Sequence, residues 1–458
     1  MEFIHSPYSP GETIAAIATP PGEGGIAIIR ISGKKALDVA SCMTSSPVKS
    51  YHTHTAHLGK ILDKKGNFID EALILVLLGK RSFCGEDTVE IHCHGGRLVS
   101  QKILQCSIEA GARAANPGEF SFKAFINGKI DLAQAESIQE LISAKNDIAL
   151  QAAENHLEGK LSKKILFFQK EIIRIAAILE AWTDFPEEDI AFSSTEEICL
   201  SLKKVMTSME RLLKSFHNGK IAHDGISLCL VGSPNVGKSS LMNMLLDKNR
   251  AIVTHIPGTT RDLLEDQMQL NGLNIRLIDT AGIRKTQELI EAEGIKRSKK
   301  AMSQADLILL VLDCQKGLQN EDRVLLRKTP PHKTIAIWNK IDLTHPPLPD
   351  LPLEYTLKTS AKKCKGLEEL HKVIDKVIWN HNPPSKEEIL ITNIRHKEAL
   401  NKAMESGNCV IEGLQTGVSP EFLSIDMRRC LSELGKIIGT NITEDILTSI
   451  FSTFCIGK

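Results

Sequence analysis

The spacing of hydrophobic and polar positions changes several times along this chain of 458 residues. Up to about residue 120, short β-type runs alternate with turn signals. The runs are Ile26 to Ile31, Ala72 to Leu78 and Thr88 to Cys93, and Pro20-Pro21-Gly22, Gly85 and Gly95-Gly96 punctuate them. From Asp131 to about His217 the period becomes helical. Leu132, Ile138, Leu141 and Ile142 recur at helical spacing, then Leu161, Ile165, Phe168, Ile172, Ile175 and Leu179. Gly159 and Phe185-Pro186 are the breaks in that region. Between residues 225 and 375 strands return as Ile226–Val231, Ile275–Ile278, Leu307–Leu312 and Thr334–Trp338. Each is followed by a polar or glycine-containing loop, the rhythm of a parallel sheet covered on both faces. Helical spacing resumes over Asn393 to Met404, Pro420 to Ile438 and Thr443 to Phe454.

This order predicts a multidomain chain of α+β and α/β parts. Residues 1–120 form an N-terminal α+β domain, and residues 221–375 an α/β domain. A C-terminal tail of about 75 residues is too short to bury a core of its own. It is expected to pack on the earlier helices, so that 121–220 and 376–458 make one helical domain into which the α/β domain is inserted.

Composition narrows the function classes. Hydrophobic residues are 42% and charged residues 24%, as in ordinary globular proteins. Lys+Arg and Asp+Glu both number 56. The zero net charge argues against coating nucleic acid by bulk electrostatics and leaves room for a local basic patch. The eleven cysteines are scattered without a CxxC pair, which fits free thiols in a reducing cytosol rather than a zinc ribbon or a redox motif. The opening residues lack a basic stretch followed by an apolar one, and no run of 18 apolar residues occurs, so a soluble cytoplasmic protein without membrane association is expected.

The chemistry concentrates in the second half. Gly232-Ser233-Pro234-Asn235-Val236-Gly237-Lys238-Ser239 fits G-x-x-x-x-G-K-[ST], directly after an apolar strand and before an apolar helix. Such a loop turns backbone N–H groups towards phosphates, with the helix N-terminus adding its positive dipole end. Lys238 is expected at the β- and γ-phosphates and the Ser239 hydroxyl on Mg²⁺. Asp279-Thr280-Ala281-Gly282 ends the next strand, bringing a carboxylate beside Mg²⁺ and a glycine N–H near the γ-phosphate. Asn339-Lys340-Ile341-Asp342 ends another. An aspartate there accepts from guanine N1–H and N2–H₂, an edge adenine lacks. Ser360-Ala361-Lys362 closes over the base. Four such motifs in order predict a P-loop, Ras-like GTPase. Within Gly258-Thr259-Thr260-Arg261-Asp262, Thr260 is the candidate for a hydroxyl that joins Mg²⁺ only while γ-phosphate is bound. Ile283, not a water-orienting Gln, follows Gly282. Asn235 and backbone carbonyls of Thr254–Thr260 offer a monovalent cation site in place of an arginine finger.

Further blocks carry a resemblance. They are Thr13–Gly33, Gly85-Glu86-Asp87, His94-Gly95-Gly96, Pro117-Gly118-Glu119-Phe120, Ala124–Lys129, Asp131–Glu136, Asp184–Glu188 and Cys455-Ile456-Gly457-Lys458. With the nucleotide motifs, they make the whole chain similar to the MnmE (TrmE) family of tRNA-modifying GTPases. The resemblance implies a homodimer formed through N-terminal domains of a folate-binding kind. These domains hold a 5-formyl- or 5,10-methylene-tetrahydrofolate through Arg30, Glu90, Lys129 and Lys458. It also implies K⁺-dependent pairing of G domains, with K⁺ at Asn235, Thr254, Ile256 and Thr259, and Glu291 orienting water indirectly, so that Glu291 and Lys238 are the catalytic pair. Motifs and resemblance together assign GTP to Asn235, Val236, Gly237, Lys238, Ser239 and Ser240, then to Thr254, His255, Ile256, Pro257, Gly258, Thr259 and Thr260. Asp279, Thr280, Ala281, Gly282, Asn339, Lys340, Asp342, Ser360 and Ala361 complete the set. The implied partners are an FAD-containing MnmG (GidA)-type protein, in a heterotetramer, and tRNA. The implied outcome is an aminomethyl or carboxymethylaminomethyl group on C5 of the wobble uridine.

Glu23 stands where many members of that family have a basic residue, and Asn116 precedes Pro117-Gly118-Glu119-Phe120 where Arg is usual. Cys455 admits two readings, a nucleophile near a folate carbon or a packing thiol. His92 and His94 share a strand face, but a metal there lacks a third ligand. Rival functions are a ribosome-assembly or RNA-binding regulatory GTPase, a folate-dependent transferase with a regulatory G domain, and a GTP-binding scaffold. Against the first, no GXXG loop follows the α/β segment and no second P-loop exists.

Overall fold

The computed structural model describes residues 12–184, 194–247, 266–270, 273–279, 302–343, 347–379, 383–385 and 387–457. They divide into two compact units. One comprises Met1–Ile142, His156–Thr207 and Ala399–Lys458, the other Ser143–Asn155 and Ser208–Glu398.

The first unit holds a six-stranded sheet in the order β3-β4-β5-β2-β1-β6. Its strands are β1 (Ile14–Ile17), β2 (Gly24–Ser32), β3 (Thr55–Leu62), β4 (Phe68–Leu77), β5 (Thr88–Gly95) and the short β6 (Arg113–Ala114). All pairs are antiparallel except β1 with β6. Alternation decides which side chains go in: Ala27, Ile29 and Ile31 of β2 and Ala72, Ile74 and Val76 of β4 are buried with Val39 and Ile103 of helices α1 (Ala36–Cys42) and α2 (Arg97–Glu109). Helix α3 (Glu119–Ile126) joins through Phe120, which is buried with Ile14, Ala16 and Cys84.

The same unit contains α6 (Lys160–Asp184) and all of α4 (Leu132–Ser143) but its last residue, while α5 (Asp147–Leu157) and α7 (Thr195–Asp224) run across the division. On α6 the stripe Leu161, Ile165, Phe168, Ile172, Ile175 and Leu179 is buried throughout. It packs against the C-terminal helix Pro420–Ile438, whose Met427, Cys430, Leu434 and Ile437 are buried. Leu132 and Ala135 of α4 form a further cluster with Leu447, Phe451 and Phe454. The tail of the chain therefore shares its core with the earlier helices, as a segment too short to fold alone must.

The second unit is built on a sheet ordered β12-β11-β10-β7-β9-β8. Its strands are β7 (Ile226–Val231), β8 (Asp266–Leu270), β9 (Leu273–Asp279), β10 (Leu307–Asp313), β11 (Thr334–Asn339) and β12 (Tyr355–Lys358). All pair in parallel except edge strand β8, antiparallel to β9. Every residue of β7, β10 and β11 is buried, the mark of strands covered on both faces. Ile226, Leu228 and Leu230 enter one core with Leu241 and Leu245 of helix α8 (Lys238–Asp247) and Leu370 and Ile374 of the helix Leu367–Ile378. Cys229 and Val231 enter the opposite core with Ile308, Leu310 and Trp338. Parallel strands with right-handed crossovers bring their C-terminal ends to one edge, where loops are free to carry chemistry.

Candidate nucleotide site and N-terminal site

The strand β7 ends at Val231, and the chain turns at once. Gly232 has φ +153°, and a Cβ there would lie 2.3 Å from the Val311 carbonyl oxygen on β10. Asn235 takes a left-handed φ of 64°, and Gly237 a φ of 98°. A Cβ on Gly237 would meet Asn339 Nδ2 at 2.3 Å. Only glycine suits both positions, because the loop is pressed against its neighbours in a conformation side chains disfavour. Helix α8 starts at Lys238, with Ser239 and Ser240 exposed in its first turn. Val236 is buried in the core below, which anchors the loop. The Lys238 ammonium donates to the carbonyls of Gly232 (2.7 Å) and Ser233 (2.9 Å), curled over the loop it belongs to.

At the end of β11, Asn339 is almost fully buried and serves two loops. Its Nδ2 donates to Val236 O at 3.0 Å, and its Oδ1 accepts from Ala361 N–H at 3.0 Å. The first phosphate-type loop and the Ser360-Ala361 segment are thus pinned to one amide. Lys340, itself at φ 68°, sends its ammonium to Asn235 O (2.7 Å) and to Asp313 Oδ2 (2.6 Å). Asp342 accepts from the Ser360 hydroxyl at 2.6 Å. That bond is the main reason its carboxyl lies below the usual aspartate range, with Lys363 and Lys362 adding to it against some loss of hydration. The result is an anionic acceptor beside the segment that ties back to the first loop.

Two residues of this arrangement went unassigned in the sequence. Asp313 closes β10 and holds Lys340 across the loop, and Asp322 accepts from the Ser233 hydroxyl at 2.6 Å while capping the helix Asn320–Lys328. The first has a faint signal as a carboxylate just past the run Leu307–Leu312. The second shows as an acid three residues after Gln319, a capping-box spacing. Thr254, His255, Ile256, Pro257, Gly258, Thr259, Thr260, Thr280, Ala281, Gly282 and Glu291 lie outside the described residues, as does Lys458. Asp279 is described only as the last residue of β9, backbone-registered with Leu230 beside the strand that leads into Gly232.

A second cluster belongs to the N-terminal sheet. Arg30 and Glu90 stand opposite one another on β2 and β5, with Arg30 Nε 2.7 Å from Glu90 Oε1. The guanidinium lies over the Phe120 ring, 5.5 Å from its centroid, and Nη1 donates to Gly457 O at 3.1 Å. The segment ending at Gly457 sits tightly at the end of β1: a Cβ on Gly457, at φ +91°, would fall 2.6 Å from Ile17 O. Glu90 is buried and its other oxygen faces His92 Nε2 at 3.3 Å. Lys129 is exposed and donates to Lys80 O at 2.7 Å, with its stem beside Gly85. His94 pairs with Asp70 at 2.7 Å, so the two histidines of this strand go to different carboxylates. Among the described residues no three His, Cys, Asp or Glu side chains gather as a metal site. Cys455 is exposed. Asn116 donates its backbone N–H to Glu119 Oε2 at 2.7 Å. No helix among the described residues is long and apolar enough to cross a membrane.

Two family models account for most of the chain: the GTP-binding protein TrmE N-terminus over residues 13–129 and the MnmE helical domain over residues 132–455. Over its full length the chain is 63% identical to the tRNA modification GTPase MnmE of Protochlamydia amoebophila (strain UWE25), with 100% of both chains covered. It is 43% identical to that of Chlamydia trachomatis serovar A (98% of this chain, 99% of the relative), and 41% identical to that of Clostridioides difficile (strain 630), at the same two coverages. With a phosphate-type loop and a base-type loop held together by one buried asparagine, the chain belongs to the MnmE (TrmE) family of tRNA modification GTPases.

Proposed function

We propose that this protein binds GTP at the C-terminal edge of its parallel sheet, hydrolyses it, and uses the cycle in modifying the wobble uridine of certain tRNAs. The observation that carries the nucleotide reading is the double role of Asn339, which bonds Val236 O and Ala361 N–H and so couples phosphate recognition to base recognition. Asp342, kept anionic by Ser360, is the acceptor for guanine N1–H and N2–H₂. Adenine would leave that carboxylate unpaired, which is how a polar site rejects the wrong base.

Lys238 exchanges the carbonyls of Gly232 and Ser233 for the β- and γ-phosphates when nucleotide enters. The site suits Mg²⁺, because the exposed Ser239 hydroxyl in the first turn of α8 is a hard oxygen donor and Thr260 supplies a second. K⁺ would be held by Asn235, Thr254, Ile256 and Thr259. Support from the described residues is the left-handed Asn235, whose exposed side chain brings an amide oxygen to the loop. Such cations neutralise charge that builds on the phosphates in the transition state. Glu291 orients the attacking water indirectly. Water adds to the γ-phosphorus as its bond to the bridging oxygen breaks, leaving GDP and phosphate.

In the N-terminal domain, the buried Glu90 is an acceptor for the donor edge of a pterin, and its oxygens retain lone pairs beyond those used by Arg30 and His92. Arg30, Lys129 and Lys458 supply the cations for a 5-formyl- or 5,10-methylene-tetrahydrofolate with its acidic tail. Homodimerisation through this domain, a heterotetramer with an MnmG-type FAD protein, a tRNA substrate and a cytoplasmic site of action complete the proposal.

The test is titration calorimetry with GTP and with ATP, followed by turnover in KCl and in NaCl at equal ionic strength. Selective GTP binding and faster turnover in KCl are expected. Preference for ATP would end the nucleotide reading, and equal rates in the two salts would remove K⁺ from it.

A further inference from the structure

At the opposite edge of the same sheet, away from the nucleotide loops, the second unit holds a cleft of about 900 Å³. It lies where the parallel strands begin, bordered by Ile226 of β7, by Asp306 just before β10, and by His332 and Lys333 just before β11. Lys145, Lys220, Arg276 and Lys333 line it, contributed by four separate segments of chain. Two carboxylates share the lining with these four cations, of which Lys333 donates to Ala305 O at 2.6 Å. Asp306 accepts from Ser227 N–H (2.8 Å) and its hydroxyl (2.7 Å), and Asp224 lies 2.8 Å from His223 Nδ1. In a chain whose charges sum to zero, this is a local excess of cations. Lys145, Lys220 and Arg276 are exposed, while Ile226, Ile275 and Ile378 beneath them are buried.

We propose that this cleft takes phosphate groups of an RNA backbone. The inference rests on the reading of the chain as a tRNA-acting GTPase and names a surface that meets the tRNA. Exposed cations from separate segments suit a polymer whose successive phosphates bridge them better than one enclosed anion. No Phe, Tyr or Trp is among the lining residues, and the rings there are the imidazoles of His217 and His332. Its cations position RNA through the backbone phosphates. The lining includes the junction Asp224-Gly225, where α7 hands over to β7, and Val377-Ile378, at the end of the helix Leu367–Ile378. RNA held there touches the segments by which the chain enters and leaves the α/β body.

The experiment uses the full-length protein, bulk tRNA and a KCl series, with tRNA affinity read by fluorescence anisotropy and GTP turnover measured in the same preparations without RNA. Two double variants are compared with wild type: K220E with R276E, and the milder K220Q with R276Q in case charge reversal impairs folding. Expected are a loss of about tenfold or more in affinity for the Glu pair and a log–log salt slope shallower by about 2 for both pairs, with turnover unchanged. Wild-type affinity and slope in both pairs, with turnover intact, would overturn the cleft and leave the GTPase reading standing. Absence of GTP turnover in wild type would instead strike the reading itself, and the inference with it. Inorganic phosphate at matched ionic strength is the small-anion probe: if it displaces tRNA completely, the cleft holds a single anion and the RNA assignment is wrong.

Discussion

On the proposed reading, a single carboxylate decides which base this site accepts. Asp342 is held by a 2.6 Å bond from Ser360, and its ionised form is favoured by that donor. Because the folded pKa is depressed, the anion persists below the usual aspartate range and is lost only as pH falls through the folded value. Guanine binding should follow the same course, holding through mild acid and failing below it. Replacing Ser360 with Ala removes the hydrogen bond that chiefly holds the pKa down, so the acid limb of a GTP-affinity profile should move to higher pH. The substitution Asp342→Asn acts on the acceptor itself. An amide can turn only one oxygen towards the two donors of guanine, and its NH₂ then confronts a donor. GTP affinity should fall by at least about 100-fold, whereas xanthosine triphosphate, with a carbonyl in place of the exocyclic amine, should gain. Competition binding with the two nucleotides measures the exchange, and an unchanged preference for GTP would show that Asp342 does not face the base.

Loops act together here because strands deliver them to one edge and Asn339 ties them. Replacing Asn339 with Ala leaves the carbonyl of Val236 and the N–H of Ala361 without their partner, each costing about 1–3 kcal/mol where water cannot substitute. Gly237→Ala strikes the same junction from the other side, since its Cβ would fall 2.3 Å from Asn339 Nδ2. Both variants should lose GTP affinity by roughly 10–100-fold at unchanged helix content, read by titration and circular dichroism. The pair should also be less than additive, because each disables one joint. Much at this scale was visible in the sequence. The run Ile226–Val231 coincides with β7, and Leu307–Leu312 and Thr334–Trp338 each fall one residue short of the strand they predict. The helical stripe from Leu161 to Leu179 is the buried face of α6. In each case one period extends over a whole element, so local pattern and tertiary burial agree. Strands β3 and β12 gave no clear run, since exposed Leu58 and the half-exposed Tyr355–Lys358 blur the alternation. The ties Lys340–Asp313 and Arg30–Glu90 were equally out of reach. They depend on which strands become neighbours and in what register, and a single sequence does not carry that information.

At the scale of the whole chain, the nucleotide residues and the N-terminal cluster belong to different compact units with separate cores. Lys238, Asn339 and Asp342 fall in the unit that includes Ser208–Glu398, and Arg30 and Glu90 in the one that includes Met1–Ile142. A ligand stabilises only the body that binds it, by RT ln(1 + [L]/Kd), which is about 2.7 kcal/mol at a hundredfold excess over Kd. For a body of about 200 residues, each kcal/mol raises the midpoint by about 2–4 °C, so the shift should be roughly 5–10 °C. Calorimetric unfolding should therefore resolve two transitions. A non-hydrolysable GTP analogue with Mg²⁺ should raise one of them, and 5-formyltetrahydrofolate the other. The long helix Thr195–Asp224 runs across the division and is the element most able to spoil this independence. If either ligand moved both transitions equally, that helix would be transmitting stability from one core to the other. The nucleotide cycle would then be felt at Arg30 and Glu90 through the backbone itself, without any change in the contacts around them.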